Sequence, residues 1–136
     1  YAAAETENSM IFQQSVLPVM EAGKAKLVKS DFALDDQIWL EPTPGHTAGH
    51  VAVHLSSNGE RAVMCGDLIH SPLQCARPDW CAFVDLDKGL ARQTRRNFMA
   101  SNAENGRLVL TAHFPSPSMG HFVAEGDAFR FNYLED

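Results

Sequence analysis

A chain of 136 residues, 45% of them apolar, suffices for one domain with its own core, and no apolar run reaches the length of a membrane-spanning helix. A formal net charge of −6, from acidic residues scattered along the chain, argues against binding nucleic acid through its phosphates. The cysteines Cys65, Cys75 and Cys81 are odd in number and lack CxxC spacing, which argues against a disulfide framework or structural zinc site and favours a reducing, cytoplasmic setting. The chain opens on Tyr1, so the absence of a leader sequence carries no weight.

Residues 8–22 have helical periodicity, with Ile11, Phe12, Val16, Val19 and Met20 recurring on one side; Thr6 or Asn8 suits the N-cap and Gly23 the end. Pro18 lies inside that pattern and is expected to bend it. Lys26-Leu27-Val28 and Gln37-Ile38-Trp39-Leu40 read as short strands. From His50 to Ser56 the chain alternates, with Val51, Val53 and Leu55 on one face and Ala52 and His54 on the other. Asn58-Gly59 is a hairpin signal, and Arg61 to Cys65 returns as the partner strand. The Pro-containing stretch 71–85 reads as loop with a short helical turn. Lys88 to Ala103 reads as a helix with Leu86, Leu90 and Phe98 toward the core and Arg92, Arg95 and Arg96 outside. Arg107 to Thr111 reads as a buried strand, and His121 to Tyr133 as a hairpin turning at Glu125-Gly126-Asp127.

Three candidate ligands stand where apolar strands run into loops marked by Pro or Gly. They are His46 in Pro42-Thr43-Pro44-Gly45-His46-Thr47-Ala48-Gly49-His50, Asp67 in Cys65-Gly66-Asp67, and His113 in Thr111-Ala112-His113-Phe114-Pro115. Strand ends hold side chains rigidly enough to shape a metal site. His46, His50 and His54 have the four-residue spacing of a helical zinc motif, but Pro44, Gly45 and Gly49 oppose a helix, so the three cannot share one role. No GxSxG elbow or Gly-rich phosphate loop occurs, and Cys65 lies within an apolar strand, which disfavours a covalent hydrolase.

The ordered set PGHTxGH, GD and AHFP resembles the second half of the metallo-β-lactamase superfamily. The wording of Gly66-Asp67-Leu68-Ile69-His70-Ser71-Pro72-Leu73-Gln74 is most similar to the branch with methyl parathion hydrolase and lactonase-like enzymes. The resemblance implies an α/β chain forming one half of the αβ/βα sandwich, a mixed sheet with helices on one face. It further implies two zinc ions with a bridging hydroxide that attacks an ester, lactone or phosphoester. His46 would serve the first ion and His113 the second, Asp67 would bridge both as the catalytic carboxylate, and His50 would brace the loop. His70 reads either as a pocket-lining or bracing residue or as a plain loop histidine. Arg77, Trp80 and Phe83 read either as substrate-pocket lining or as cover over the core.

The superfamily's first ligand cluster, HxHxDH, does not occur in these residues, so 1–136 reads as the C-terminal portion of such a domain, with half of each ion's shell. Two function classes follow. One is a hydrolase of a small-molecule substrate, with this chain inactive alone and weak in metal binding. The other is a non-catalytic half-domain acting as a binding or structural module. A sheet covered on one face leads either way to the expectation of a homodimer, with neither membrane nor nucleic acid as partner.

Overall fold

A computed structural model of the protein describes residues 9–134. Six strands form a single mixed sheet in the order of the chain: β1 (Ile38–Pro42), β2 (Val51–Ser57), β3 (Glu60–Met64), β4 (Leu108–Leu110), β5 (Met119–Glu125) and β6 (Ala128–Tyr133). All neighbours are antiparallel except β3 and β4, which run parallel. A parallel pair needs a long crossover. The crossover here carries two helices, α2 (Leu73–Ala76) and α3 (Lys88–Glu104). No helix among the described residues is long and apolar enough to cross a membrane.

The β2–β3 hairpin turns at Asn58 and Gly59, both with positive φ, as the Asn-Gly signal requires. The terminal hairpin turns at Gly126, as expected, but β5 starts at Met119, two residues before the reading from sequence. Helix α3 opens on Asp87, whose carboxylate accepts from the Leu90 amide at 2.9 Å.

The two sheet faces differ sharply. On one, Val63, Val109, Ala52 and Phe122 pack with Phe98 and Met99 of α3 and Cys75 of α2 in a single core. On the other, Val51, Val53 and Leu55 are only half-buried and Met64 is exposed. The helices therefore lie on one face, and the fold is the mixed-sheet half expected from the sequence.

Three local expectations are corrected. Lys26-Leu27-Val28 is not a strand: no strand among the described residues pairs with it, and Leu27 is 86% exposed. In α3, Arg95 is fully buried, whereas Leu86, just before the helix, and Leu90 are exposed. Ala91, Arg95, Phe98 and Asn102 share the buried stripe at helical spacing, so the helix is rotated from the orientation that its leucines suggest. Near the N-terminus, the helical reading holds as a π turn over Phe12–Val16 followed by α1 (Leu17–Glu21), with the change of geometry next to Pro18. No residue of either segment is buried, so its apolar stripe does not join the core. Ser9 Oγ accepts from the Phe12 amide at 3.1 Å; Thr6 and Asn8, the suggested caps, lie outside the described residues.

Candidate metal centre

The Pro-Gly-His loop between β1 and β2 is held from both sides. The Thr43 amide donates to the His50 carbonyl at 2.9 Å, closing the loop at the strand ends. Gly45 and His46 accept at their carbonyls from the Asp87 and Leu86 amides at 2.9 and 3.1 Å, docking the loop on the start of α3. Gly45 has φ +135°, and a Cβ there would meet the Ala91 backbone at 2.4 Å. Only glycine lets the loop approach α3 this closely.

His50 is fixed as a neutral brace. Its Nε2 accepts from the Asp67 amide at 3.0 Å, so the proton sits on Nδ1, which faces Thr43 Oγ1 at 2.8 Å and the Thr43 carbonyl at 3.1 Å. Burial pushes the His50 pKa down, against the hydrogen bond to the Thr43 carbonyl, which agrees with this neutral form. One imidazole thus ties the β1–β2 loop to the turn that carries Asp67. That turn is a 3-10 segment, Gly66–Leu68, and Gly66 has φ +51°, with a Cβ there falling 3.0 Å from His50 Nε2.

The Asp67 carboxylate lies between two imidazoles. Its Oδ1 accepts from His113 Nε2 at 2.7 Å, and its Oδ2 lies 3.5 Å from His46 Nε2. The His113 hydrogen bond holds the Asp67 pKa below the usual carboxylate value, outweighing the effect of burial, and His46, His113 and His70 add electrostatic support. On the other side of His46, Nδ1 donates to Asp85 Oδ1 at 3.1 Å, so Nε2 is the nitrogen that faces Asp67. A carboxylate behind an imidazole is the arrangement that fixes the tautomer of a metal-binding histidine.

His70 lies between the two outer imidazoles, with ring centroids 5.0 Å from His46 and 4.8 Å from His113. Its amide donates to Gln74 Oε1 at 2.7 Å, and Gln74 in turn donates to the Trp80 carbonyl at 2.9 Å. Burial lowers the His70 pKa, and the neighbouring His113 and His46 lower it further. The structure therefore brings His46, Asp67, His70 and His113 to one sheet edge and sets His50 directly behind Asp67. His54 stacks on Trp39 on the core side of the sheet, away from this cluster. Trp80 is 56% and Phe83 92% exposed, so neither covers the core.

Sequence reading missed Asp85 and its support. Asp85 is buried, and besides His46 it accepts from the Ala82 amide at 3.0 Å and from Arg95 Nη2 at 3.2 Å. Arg95 spends its remaining donors on carbonyls: Leu68 at 3.0 Å, Pro78 at 3.2 Å and Trp80 at 2.8 Å. The buried stripe of α3 could have revealed Arg95, but nothing in the spacing marks Asp85.

The donors fit a divalent transition ion. Imidazole and carboxylate are its usual ligands, and two sets of three donor atoms, His46–His70–Asp85 and Asp67–His70–His113, each lie within 4.8 Å of one another. His70 Nδ1 is buried without a hydrogen-bond partner among the described residues, another sign of a polar site. Cys65 and Cys75 are buried in the core and belong to neither donor set, and burial pushes each thiol up to about 12. A groove of about 500 Å³, lined by Ile38, Leu55, Ala62 and Leu108 among others, lies on the open sheet face and holds no histidine.

Sheet order, crossover and a histidine–aspartate edge together define half of a metallo-β-lactamase fold, and the structure matches hydrolases of that superfamily over about nine-tenths of the chain. One of these, the hydrolase AbOPH of the β-lactamase superfamily, is 28% identical, with TM-score 0.84, 91% of this chain covered and 43% of that chain. The dizinc quorum-quenching lactonase AidC shares the fold at 22% identity and TM-score 0.80, over 97% of this chain and 49% of its own. A probable metal-dependent hydrolase from Staphylococcus aureus shares it at 19% identity and TM-score 0.67, over 85% and 42%. The chain thus spans less than half the length of each of these proteins. No protein-family model and no curated protein matches the sequence.

Proposed function

We propose that this chain supplies one half of a dinuclear metal centre that hydrolyses an ester, lactone or phosphoester. The observation that carries the reading is the Asp67 carboxylate, with one oxygen toward His46 and the other toward His113. That arrangement suits a bridge between two ions, each with one histidine from this chain. Zinc in such a centre would supply Lewis acidity and lower the pKa of a water near neutrality. His46 is presented for binding by Asp85, and Asp67 is positioned by His50 through its own backbone amide. Phe83, Val84 and Leu86, exposed in the segment that bonds to the His46 carbonyl, offer apolar surface to a hydrophobic part of the substrate. The remaining ligands would come from an HxHxDH segment outside these residues.

The test is to express the chain with its native upstream reading frame, load the product with zinc and assay an acyl-homoserine lactone, a phosphotriester and a simple aryl ester. Turnover that Asp67→Asn and His113→Ala lower by about 10²-fold or more supports the reading. A protein that binds two ions and turns over none of the three refutes it. A second reading, a non-catalytic half-domain that pairs with itself, draws on the open face with its half-buried Val53 and Leu55 and its exposed Met64. A second copy of the chain would bury that face in an isologous dimer. A stable monomer at micromolar concentration in light scattering rules out that pairing.

A further inference from the structure

Two Asn-Gly pairs occur in the chain, Asn58-Gly59 and Asn105-Gly106. Asparagine is among the thermolabile residues. The amide nitrogen of the following residue can attack the side-chain carboxamide carbon, and a glycine there puts no Cβ in the way. The two pairs differ in how firmly the fold holds these reacting atoms.

Asn105 is the C-cap of α3. Its Nδ2 donates to the Ser101 carbonyl at 2.7 Å, and the Gly106 amide, the attacking nitrogen, donates to the Ala103 carbonyl at 3.3 Å. Attack there requires both bonds to break and the end of the helix to open. Asn58 and Gly59 form the tip of the β2–β3 hairpin, beyond the Ser57–Glu60 pair. Both are exposed, and among the described residues neither the Asn58 carboxamide nor the Gly59 amide has a hydrogen-bond partner. Gly59 stands in open space: a Cβ built there meets nothing within 4 Å.

We propose that Asn58 is a modification site at which the chain deamidates spontaneously. The Gly59 nitrogen bonds to the Asn58 side-chain carbon and ammonia leaves, giving a cyclic imide. Water then opens the imide at one of its two carbonyls. One opening gives aspartate; the other gives isoaspartate, in which the main chain runs through the side-chain methylene. No oxidant, metal or enzyme enters the balance. The two products act differently on the fold. Aspartate before glycine suits the same tight turn. Isoaspartate adds a backbone atom to a turn whose two positive φ values set the register of β2 against β3. That hairpin starts after His50 and ends before Asp67, and the hydrogen bond from the Asp67 amide to His50 Nε2 at 3.0 Å ties its far end. The isoaspartate form therefore strains the element that positions Asp67, whatever reaction the cluster serves.

The test incubates the 136-residue chain at mildly alkaline pH and follows the peptides containing Asn58 and Asn105 by mass spectrometry, with fragmentation that separates aspartate from isoaspartate. The expected result is an amide-to-acid mass gain at Asn58 at least about tenfold faster than at Asn105, because two hydrogen bonds guard only the latter. In urea the two rates should converge, since both asparagines precede glycine. The isolated isoaspartate form should melt at least about 3 °C below wild type, whereas Asn58→Asp stays close to it. Equal rates in the folded chain overturn the assignment of the site, as does an Asn58 that stays intact while the urea-unfolded chain converts. Either result would mean that the hairpin tip is as well guarded as the helix cap. An isoaspartate form that melts with wild type overturns the link to strand register.

Discussion

Replacing Arg95 by Leu should be among the most damaging single changes available outside the histidine cluster. The guanidinium is fully buried and makes four hydrogen bonds, one to Asp85 and three to carbonyls of the segment that follows Asp67. Its removal leaves the Asp85 carboxylate buried without a cation and strips the Leu68, Pro78 and Trp80 carbonyls of a donor. Breaking one partner of a buried ion pair costs about 3–5 kcal/mol. That is a large part of the roughly 5–15 kcal/mol that holds a domain folded. At roughly 3–5 °C per kcal/mol for a domain of this size, the midpoint of thermal unfolding should fall by about 10–25 °C. Circular dichroism melts of wild type, Arg95→Leu and the double variant Arg95→Leu/Asp85→Leu provide the assay. The double variant should recover part of the loss, because no unpaired charge stays inside. An Arg95→Leu midpoint within about 3 °C of wild type would show that water or a rearranged loop satisfies Asp85, and the argument for a rigid support behind His46 would collapse.

Gly45→Ala should cost about 2–5 kcal/mol, since it combines a Cβ at 2.4 Å from the Ala91 backbone with a φ of +135°; an unchanged urea midpoint contradicts this. Stability should decline as pH drops below about 6.5. Burial lowers the folded His50 pKa, so below the unfolded value the unfolded chain binds more protons and the native state loses ground, while above it the contribution is complete. Urea midpoints at pH 7 and pH 5 check the sign, and His50→Gln should shrink the difference. Under native conditions a thiol reagent should modify Cys81 first, because Cys65 and Cys75 are buried with thiols pushed up to about 12; three equally fast thiols would mean that the core opens readily.

What the sequence determined by itself was mostly local. Asn58-Gly59 dictates its turn because few residues tolerate two successive positive φ values. Alternation over 51–56 dictates β2, and Pro44-Gly45 ends one strand and opens the loop that carries His46. Strand-end positions for His46, Asp67 and His113 were legible for the same reason, since each follows an apolar run broken by Gly, Pro or a turn. Tertiary structure decided what depends on rotation and on contacts between distant segments. Periodicity defines a stripe on α3 but cannot say that Arg95 belongs in it, because a buried cation is tolerated only where carbonyls and Asp85 converge around it, and those come from a separate loop. The same holds for Asp85 behind His46, 39 positions apart in the chain, and for His70, which a turn and the Gln74 hydrogen bond bring between two other imidazoles. Even β2, whose two faces were read correctly from alternation, did not reveal which face meets the helices: Ala52 and His54 are buried and Val51, Val53 and Leu55 are left half-open, because the crossover between β3 and β4 puts α2 and α3 on one side of the sheet.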